Sequence, residues 1–223
     1  MVDSLLTVLE DEVQLAALAF MTAVYLLKVI WIMRFKPMRE RTPAKGSETR
    51  GILYSYATLG MPWAIESSHR HFGRYIEFAV FHIGIAVTIA ITFIIPYYPS
   101  LIAAPATVAV LRVLIIMALA AGLVRLWRRM TRAELRKISS PDDYFSLVLL
   151  NVYLLSAFLA APNRDPWTLY LLFGMTTFFL VYVPFSKISH YLLWPFTRYY
   201  LGKTLGHRGV YPKQTHEIEF DQG

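Results

Sequence analysis

Apolar residues in this chain fall into five long blocks, which are separated by shorter polar or basic segments. A helix needs about 20 apolar residues to cross the roughly 30 Å hydrocarbon core of a bilayer. The blocks predict five membrane spans, at about 13–33, 75–95, 101–126, 144–161 and 167–190. We therefore predict an all-α membrane protein, with a five-helix domain over residues 1–200 and a C-terminal tail over residues 201–223.

The segments outside the spans carry their own signals. Residues 51–74 mix aromatic and polar side chains and contain Pro62, which predicts a surface-lying helix or an ordered loop with a break. Pro141 is followed by two aspartates, a pattern that is typical of a helix start. Gly202, Gly206 and Gly209 predict a loop-like tail, because glycine interrupts regular structure.

Charge adds an orientation to this picture. Only 17% of the residues are charged, less than in a typical soluble domain. Three alternate segments, 34–74, 125–137 and 187–223, hold nearly all of the 22 lysines and arginines. The positive-inside rule then predicts an outer N-terminus and a cytoplasmic C-terminus. The net charge of +7 follows from these loops, so we expect membrane lipid as a partner and no nucleic acid.

The absence of cysteine limits the chemistry. A chain with no cysteine has no disulfide, no covalently attached haem c and no cysteine-bound iron–sulfur cluster of its own. Any redox centre in this chain must therefore be held by histidine or methionine, and any iron–sulfur cluster must belong to a partner.

Two histidines lie in predicted spans. His82 follows Arg74, at the start of span two, by about 12 Å along the helix, and His190 ends span five, which runs the other way. Both therefore fall in the cytoplasmic half of the membrane, where two histidines can hold a haem b between spans two and five. The alternatives are that His82 hydrogen-bonds to a neighbouring span and that His190 is an interfacial side chain.

Other polar residues are candidates for supporting roles. We expect Glu77 to pair with Arg70 or Arg74, or else to be a proton group, and Arg112 to reach towards the nearer interface. Lys187 and Arg198 suit haem propionates, although lipid phosphates suit them equally well. The candidate walls of a quinone site are basic or aromatic groups of the cytoplasmic half: Trp63, His71, Arg74 and Trp194.

Particular segments resemble a known family. Phe81-His82-Ile83-Gly84-Ile85, Phe173-Gly174-Met175-Thr176 and Val183-Pro184-Phe185-Ser186-Lys187-Ile188-Ser189-His190 resemble the gamma subunit of respiratory nitrate reductase. The resemblance covers residues 75–200. Ser189-His190-Tyr191-Leu192-Leu193-Trp194-Pro195 with Arg198-Tyr199-Tyr200 is more similar to the branch associated with dissimilatory sulfite reductase and heterodisulfide reductase complexes.

The resemblance implies a five-helix cytochrome b of a prokaryotic cytoplasmic membrane, with its N-terminus outside. Such a subunit passes electrons between a quinone, menaquinone or similar, and a cytoplasmic iron–sulfur subunit, and does not itself act on the terminal substrate. His82 and His190 match the ligands of the inner haem. Thr92 and Leu172 stand where the family has the ligands of an outer haem, and neither side chain suits iron. We therefore expect one haem b.

Two other function classes remain open at this point. One is a redox-silent membrane anchor for an enzyme, and the other is a small proton-coupled transporter with His82 and Glu77 as relay groups. A visible spectrum separates them from a cytochrome, because only a cytochrome gives the sharp bands of reduced haem b.

Overall fold

The computed structural model describes residues 2–35, 40–64 and 69–212, and within these ranges the chain is helical, with no strand. A π-helical stretch, Val8–Val13, joins the first two helices. The helices in chain order are α1 (Val2–Thr7), α2 (Gln14–Met33), α3 (Glu48–Ala57), α4 (Phe72–Tyr97), α5 (Pro105–Thr131), α6 (Ala133–Lys137), α7 (Pro141–Ala160), α8 (Pro166–Tyr182) and α9 (His190–His207).

Five helical segments of the described chain are long and apolar enough to cross a membrane: Ser4–Met33, Phe72–Tyr97, Pro105–Thr131, Pro141–Ala160 and Pro166–Phe185. The prediction of a multi-pass, all-helical protein is confirmed at this level. The first segment begins before the predicted residue 13, because the acidic residues Glu10, Asp11 and Glu12 continue the helix as its π-helical stretch.

The predicted fifth span, 167–190, is too long. Helix α8 ends at Tyr182, and two short 3-10 turns, Val183–Phe185 and Lys187–Ser189, separate it from α9. Pro184 accounts for the interruption, because proline has no backbone N–H to continue the helix. The Pro184 carbonyl accepts a hydrogen bond from the Lys28 ammonium, which ties α2 to this turn. His190 is therefore the first residue of a separate helix.

The prediction of a loop-like tail after Pro195 is wrong for residues 196–207. These residues complete α9, and the chain leaves the helix at Gly209, whose φ of 73° is in the left-handed region. Gly202 and Gly206 are buried within the helix. These two glycines let another helix approach α9 closely, and they do not end the helix.

The chain divides into two compact units. Unit 1 comprises Met1–Trp31 and Ile76–Ser189, and unit 2 comprises Ile32–Tyr75 and His190–Gly223. The apolar core belongs to unit 1, where α7 packs between α5 and α8. Its large side chains with no exposed surface are Ile91, Ile115, Leu154, Leu172 and Phe173.

A glycine brings two helices of unit 1 close together. A Cβ atom on Gly84 of α4 would lie 2.0 Å from the Ala118 Cβ of α5, so only glycine permits this approach. Gly122 acts similarly one turn further along α5, where a Cβ would lie 2.3 Å from Asn151 Oδ1. The first contact holds α4 against α5 next to the turn that carries His82, and the second holds α5 against α7.

Unit 2 is built on the packing of α3 against α9. Ser47 caps α3 by accepting a hydrogen bond from the Arg50 amide. The Tyr56 hydroxyl donates to the Pro195 carbonyl at 2.7 Å, and the Lys45 amide donates to the His207 carbonyl at 2.8 Å. The surface helix predicted within 51–74 is thus α3, which begins three residues earlier and ends before the 3-10 turn at Pro62–Ala64.

Candidate functional site

His82 directly follows Phe81 in α4 and lies at the edge of the buried face of this helix. This face repeats at helical spacing and consists of Phe81, Gly84, Thr88, Ile91 and Ile95. His82 is half-buried, and its ring centroid lies 4.0 Å from that of Phe78 and 5.9 Å from that of Phe81. The imidazole is thus held between two aromatic rings of its own helix.

A backbone contact orients the imidazole. His82 Nδ1 lies 2.7 Å from the Phe78 carbonyl oxygen, one turn back on α4. An N–H at Nδ1 donates to this carbonyl, which puts the lone pair of the neutral ring on Nε2. Histidines that bind metals through one nitrogen commonly donate from the other to a backbone carbonyl. The orientation of the ring is compatible with a metal at Nε2, and metal binding by His82 stays a prediction.

The face of α4 that continues from His82 is not covered by the core. Ala86, one turn on, is exposed, and so are Ile89 and Phe93 at 46% and 40% of their surfaces. Ala79, one turn before His82, is half-buried. The small side chain of Ala86 leaves room beside the imidazole for a flat group.

Glu77 pairs with two arginines of α5, whereas the sequence predicted Arg70 or Arg74 as its partner. The Arg125 Nε lies 3.3 Å from Glu77 Oε1, and the Arg128 guanidinium donates to the same oxygen. Sequence distance misled the prediction, because the arginines that reach Glu77 come from the neighbouring helix. The carboxylate is committed to an ion pair that holds α4 to α5 at the end near His82.

Lys187 has a carboxylate partner in unit 1. Its ammonium lies 2.8 Å from Asp143 Oδ2 and 2.7 Å from Ser140 Oγ, at the start of α7. The Asp143 carboxylate also accepts the Ser140 amide in a capping box. The proline and aspartates predicted to begin a helix thus do so, and they anchor the turn after Pro184.

The remaining candidate residues belong to unit 2. His190 is exposed at the start of α9, and Trp194, one turn on, packs edge-to-face on Tyr56 at 5.6 Å between ring centroids. The Arg198 guanidinium lies 6.0 Å from the Trp194 ring centroid. Trp194, Arg198 and His190 therefore occupy successive turns of one helix. His190 is in a different unit from His82, so their pairing stays a prediction.

Three further candidates are exposed in unit 2. Trp63 exposes 66% of its surface in the short turn after α3, and His71 and Arg74 are exposed where α4 begins. The Arg74 amide donates to the His71 carbonyl at 2.9 Å, which starts the helix. The structure shows these groups accessible, and their role beside a quinone stays a prediction.

Thr92 and Leu172 lie in the packed core of unit 1. Leu172 has no exposed surface and Thr92 exposes 1%. The Tyr153 hydroxyl interacts with the Thr92 side chain and lies 3.4 Å from Thr176 Oγ1. Thr92 Oγ1 and Thr176 Oγ1 also donate to carbonyls of their own helices at 2.7 and 2.8 Å. Side chains therefore fill the region that the family pattern gives to an outer haem.

Within residues 2–35, 40–64 and 69–212 no three His, Cys, Asp or Glu side chains gather as a metal site. A haem held by two histidines does not require such a group. The chain matches no protein-family model, and no characterised protein or solved structure is significantly similar to it.

Proposed function

We propose that the chain is the haem b-containing membrane subunit of a respiratory oxidoreductase complex. It would pass electrons between a membrane quinone and a cytoplasmic iron–sulfur subunit, without acting on the terminal substrate. The observation that carries the proposal is the His82 imidazole, which is fixed by the Phe78 carbonyl and flanked by the small, exposed Ala86. An apolar helix has little reason to retain a histidine unless it has a function.

The roles of the chain's own residues follow from this proposal. His82 would hold the iron from α4, and His190 would hold it from the start of α9. The bound haem b supplies a one-electron couple. Phe78 and Phe81 would exclude water from the His82 side. Arg198 is available to neutralise a propionate, whereas Lys187 would have to leave Asp143 to do so.

The packing of Thr92, Leu172 and Tyr153 supports a single haem. A macrocycle at that level would have to displace fully buried side chains, and neither threonine nor leucine offers the iron a suitable lone pair. A second haem would require α4 and α8 to separate. We therefore propose that electrons leave and enter near His82.

The distribution of basic residues supports an orientation with the N-terminus outside and the C-terminus in the cytoplasm of a prokaryote. In this orientation His82, Trp194 and the basic segment around Arg128 lie towards the cytoplasm. An iron–sulfur partner would dock on that side. Trp63, His71 and Arg74 remain candidate walls of a quinone site near the same end.

The ion pair of Glu77 argues against the transporter alternative. A relay carboxylate must exchange protons freely, whereas Glu77 is clamped between Arg125 and Arg128. The redox-silent anchor differs from our proposal in one observable, the spectrum of the reduced protein.

The test is the visible spectrum and the haem content of the purified chain after reduction. We expect one haem b per polypeptide, with bands that disappear in His82→Ala and in His190→Ala. His69→Ala is the matched control, because this exposed histidine precedes α4, and it should keep the full spectrum. A wild-type protein without haem bands, or full haem binding in both ligand variants, would refute the proposal. A ratio near two would refute the single-haem assignment.

A further inference from the structure

Unit 1 contains a cavity of about 450 Å³ at the end where α4 passes into α5 and α7 into α8. This volume is in the range of small-molecule sites, about 300–1,000 Å³. Its walls come from two turns, 99–105 and 162–164, and from α5 through Val108 and Arg112. Arg112 and Arg164 are the two charged residues in this lining.

Arg112 faces an unusual environment for a cation. Its guanidinium carbon lies 4.0 Å from the Phe158 ring centroid, and its Nε is buried with no hydrogen-bond partner. The side chain thus lies against Phe158 of α7, and its reach towards the nearer interface stays a prediction. A cation–π contact satisfies one face of the guanidinium and leaves its N–H donors for another group.

Neither arginine of the cavity is neutralised by the described residues. No carboxylate of those residues lies within ion-pair distance of Arg112 or Arg164. By contrast, Arg125, Arg128 and Arg129 at the other end of α5 each have a carboxylate within 4.0 Å. The cavity thus carries two positive charges without a neutralising carboxylate among the described residues, which suits an anion.

The depth of Arg112 indicates what kind of anion. Helix α5 has 27 residues, or about 40 Å, which matches a bilayer with its headgroup layers. The Cα of Arg112 lies about 10 Å from the start of α5 by the helical rise, a few ångströms inside the hydrocarbon, so its long side chain can reach the headgroup layer. Lipid phosphates lie in the headgroup layer, and the planar guanidinium fork matches a phosphate in two parallel hydrogen bonds.

We propose that this cavity binds the phosphate group of an anionic molecule, with Arg112 as its principal ligand and Arg164 as a second cation. The phosphodiester of an anionic phospholipid and free inorganic phosphate share this chemistry. In the orientation proposed above, a lipid would come from the outer leaflet. The site is independent of His82, which lies in the other half of α4.

The experiment measures binding to the full chain purified in a neutral detergent, by native mass spectrometry. The probes are short-chain phosphatidylglycerol, the matched zwitterionic phosphatidylcholine and inorganic phosphate. We expect one tightly bound phosphatidylglycerol per chain, with Kd raised at least about tenfold in Arg112→Gln, since a charge-assisted hydrogen bond is lost. Arg112→Lys keeps the charge without the guanidinium fork, and its Kd should lie between those of the wild type and Arg112→Gln.

Arg132→Gln is the control, because this exposed arginine ends α5 at the opposite end and removes the same charge. It should bind like the wild type. Arg164→Gln, an exposed position that does not threaten folding, should weaken binding by a smaller factor. The melting temperature without ligand shows whether each variant is folded.

Each probe has a distinct meaning. Binding of phosphatidylglycerol but not of inorganic phosphate, with loss in Arg112→Gln, supports the site with a lipid as the source. Binding of inorganic phosphate with the same loss supports the site with a soluble anion as the source. No binding of either probe, equal binding of phosphatidylcholine, or binding that Arg112→Gln leaves unchanged would overturn the proposal.

Discussion

The two units are held together by opposite means. Unit 1 buries large side chains completely, among them Leu154, Leu172 and Phe173, with glycine at two crossings of α5. In unit 2 the residues buried in the helix pair are small: Gly51, Ser55, Gly202 and Gly206. Unit 1 therefore depends on side-chain volume, and unit 2 depends on the absence of side chains. Truncating a buried side chain should therefore destabilise unit 1, whereas adding a side chain at a buried glycine should destabilise unit 2.

The ionic contacts differ as well. In unit 1 the Arg125 and Arg128 side chains expose 30% and 25% of their surfaces where they meet Glu77. In unit 2 the Arg208 side chain exposes 54% where it meets Glu40. Because water screens exposed pairs, the pair in unit 1 should contribute more to stability.

The largest effect is expected from a side chain added to unit 2. A Cβ on Gly51 would lie 2.3 Å from the Gly202 carbonyl oxygen and 2.4 Å from the Gly206 Cα, and backbone atoms cannot move aside locally. Gly51→Leu should therefore separate α3 from α9, at a cost above the roughly 1–3 kcal/mol typical of overpacking. Hydrogen exchange of the amides of α3 and α9 measures the loss.

Gly73→Leu is the matched control for this prediction. Gly73 lies in the same unit, in the first turn of α4, and a Cβ there would meet nothing within 4 Å. Protection of α3 and α9 should be unchanged. Equal loss of protection in both variants would show that the close approach of the glycines does not hold unit 2 together.

The second prediction removes volume from unit 1. Leu172→Ala should lower the free energy of unfolding by about 2 kcal/mol, the low end for buried leucines. We expect the low end because truncating a leucine in a membrane helix removes packing contacts only. The free energy of transfer from water does not contribute, since the surroundings are lipid. Leu171→Ala is the control on the same helix, since Leu171 exposes 44% of its surface. Denaturation in mixed micelles compares them, and equal losses would contradict a volume-dependent core.

The same contrast explains what the sequence could and could not predict. The five apolar segments could be predicted, because hydropathy along the chain can be read from a single sequence. Gly202 and Gly206 were misread because a glycine that ends a helix and a glycine that admits another helix have the same local signal. The partner, Gly51, lies far away in the sequence. The Glu77 ion pair was misassigned for the same reason, since its arginines are on α5.

The candidate site is predictable to a smaller extent. His82 stands out in the sequence as a titratable residue in an apolar span, and the structure adds the orientation of its ring. The break at Pro184 was visible as a proline, yet its effect on His190 depends on how the chain restarts as α9. The cavity at Arg112 left no signal beyond a single charged residue, because its walls come from separate turns.

The third prediction tests the ionic contact of unit 1. Glu77→Gln leaves Arg125 and Arg128 side by side without their carboxylate, at a cost of about 1–2 kcal/mol for unsatisfied, partly buried donors. Denaturation in mixed micelles again provides the measurement. Glu134→Gln removes the same charge from an exposed position in α6 and should have little effect. A Glu77→Gln protein as stable as Glu134→Gln would show that this contact resembles the exposed one in unit 2.

The smallest effect concerns the exposed ion pair between Arg208 and Glu40 in unit 2. The hydrogen bond from Arg208 is the main cause that lowers the pKa of Glu40 below its ordinary value of 4.5. A lowered pKa means that the pair stabilises the folded state above about pH 4.5, and this contribution is lost as the pH falls through the folded value. At neutral pH the pair is fully formed. Its contribution should shrink as salt is added, because the Arg208 side chain is exposed.

Titration of the Glu40 carboxyl carbon by NMR measures this directly. We expect a midpoint below 4.5 in the wild type and a midpoint nearer 4.5 in Arg208→Ala. Arg132→Ala, which removes an equal charge in unit 1, should leave the Glu40 midpoint where the wild type has it. High salt should bring the wild type and Arg208→Ala together. A midpoint unaffected by Arg208→Ala would mean that the contact between Arg208 and Glu40 does not persist in solution, and that unit 2 is held together without it.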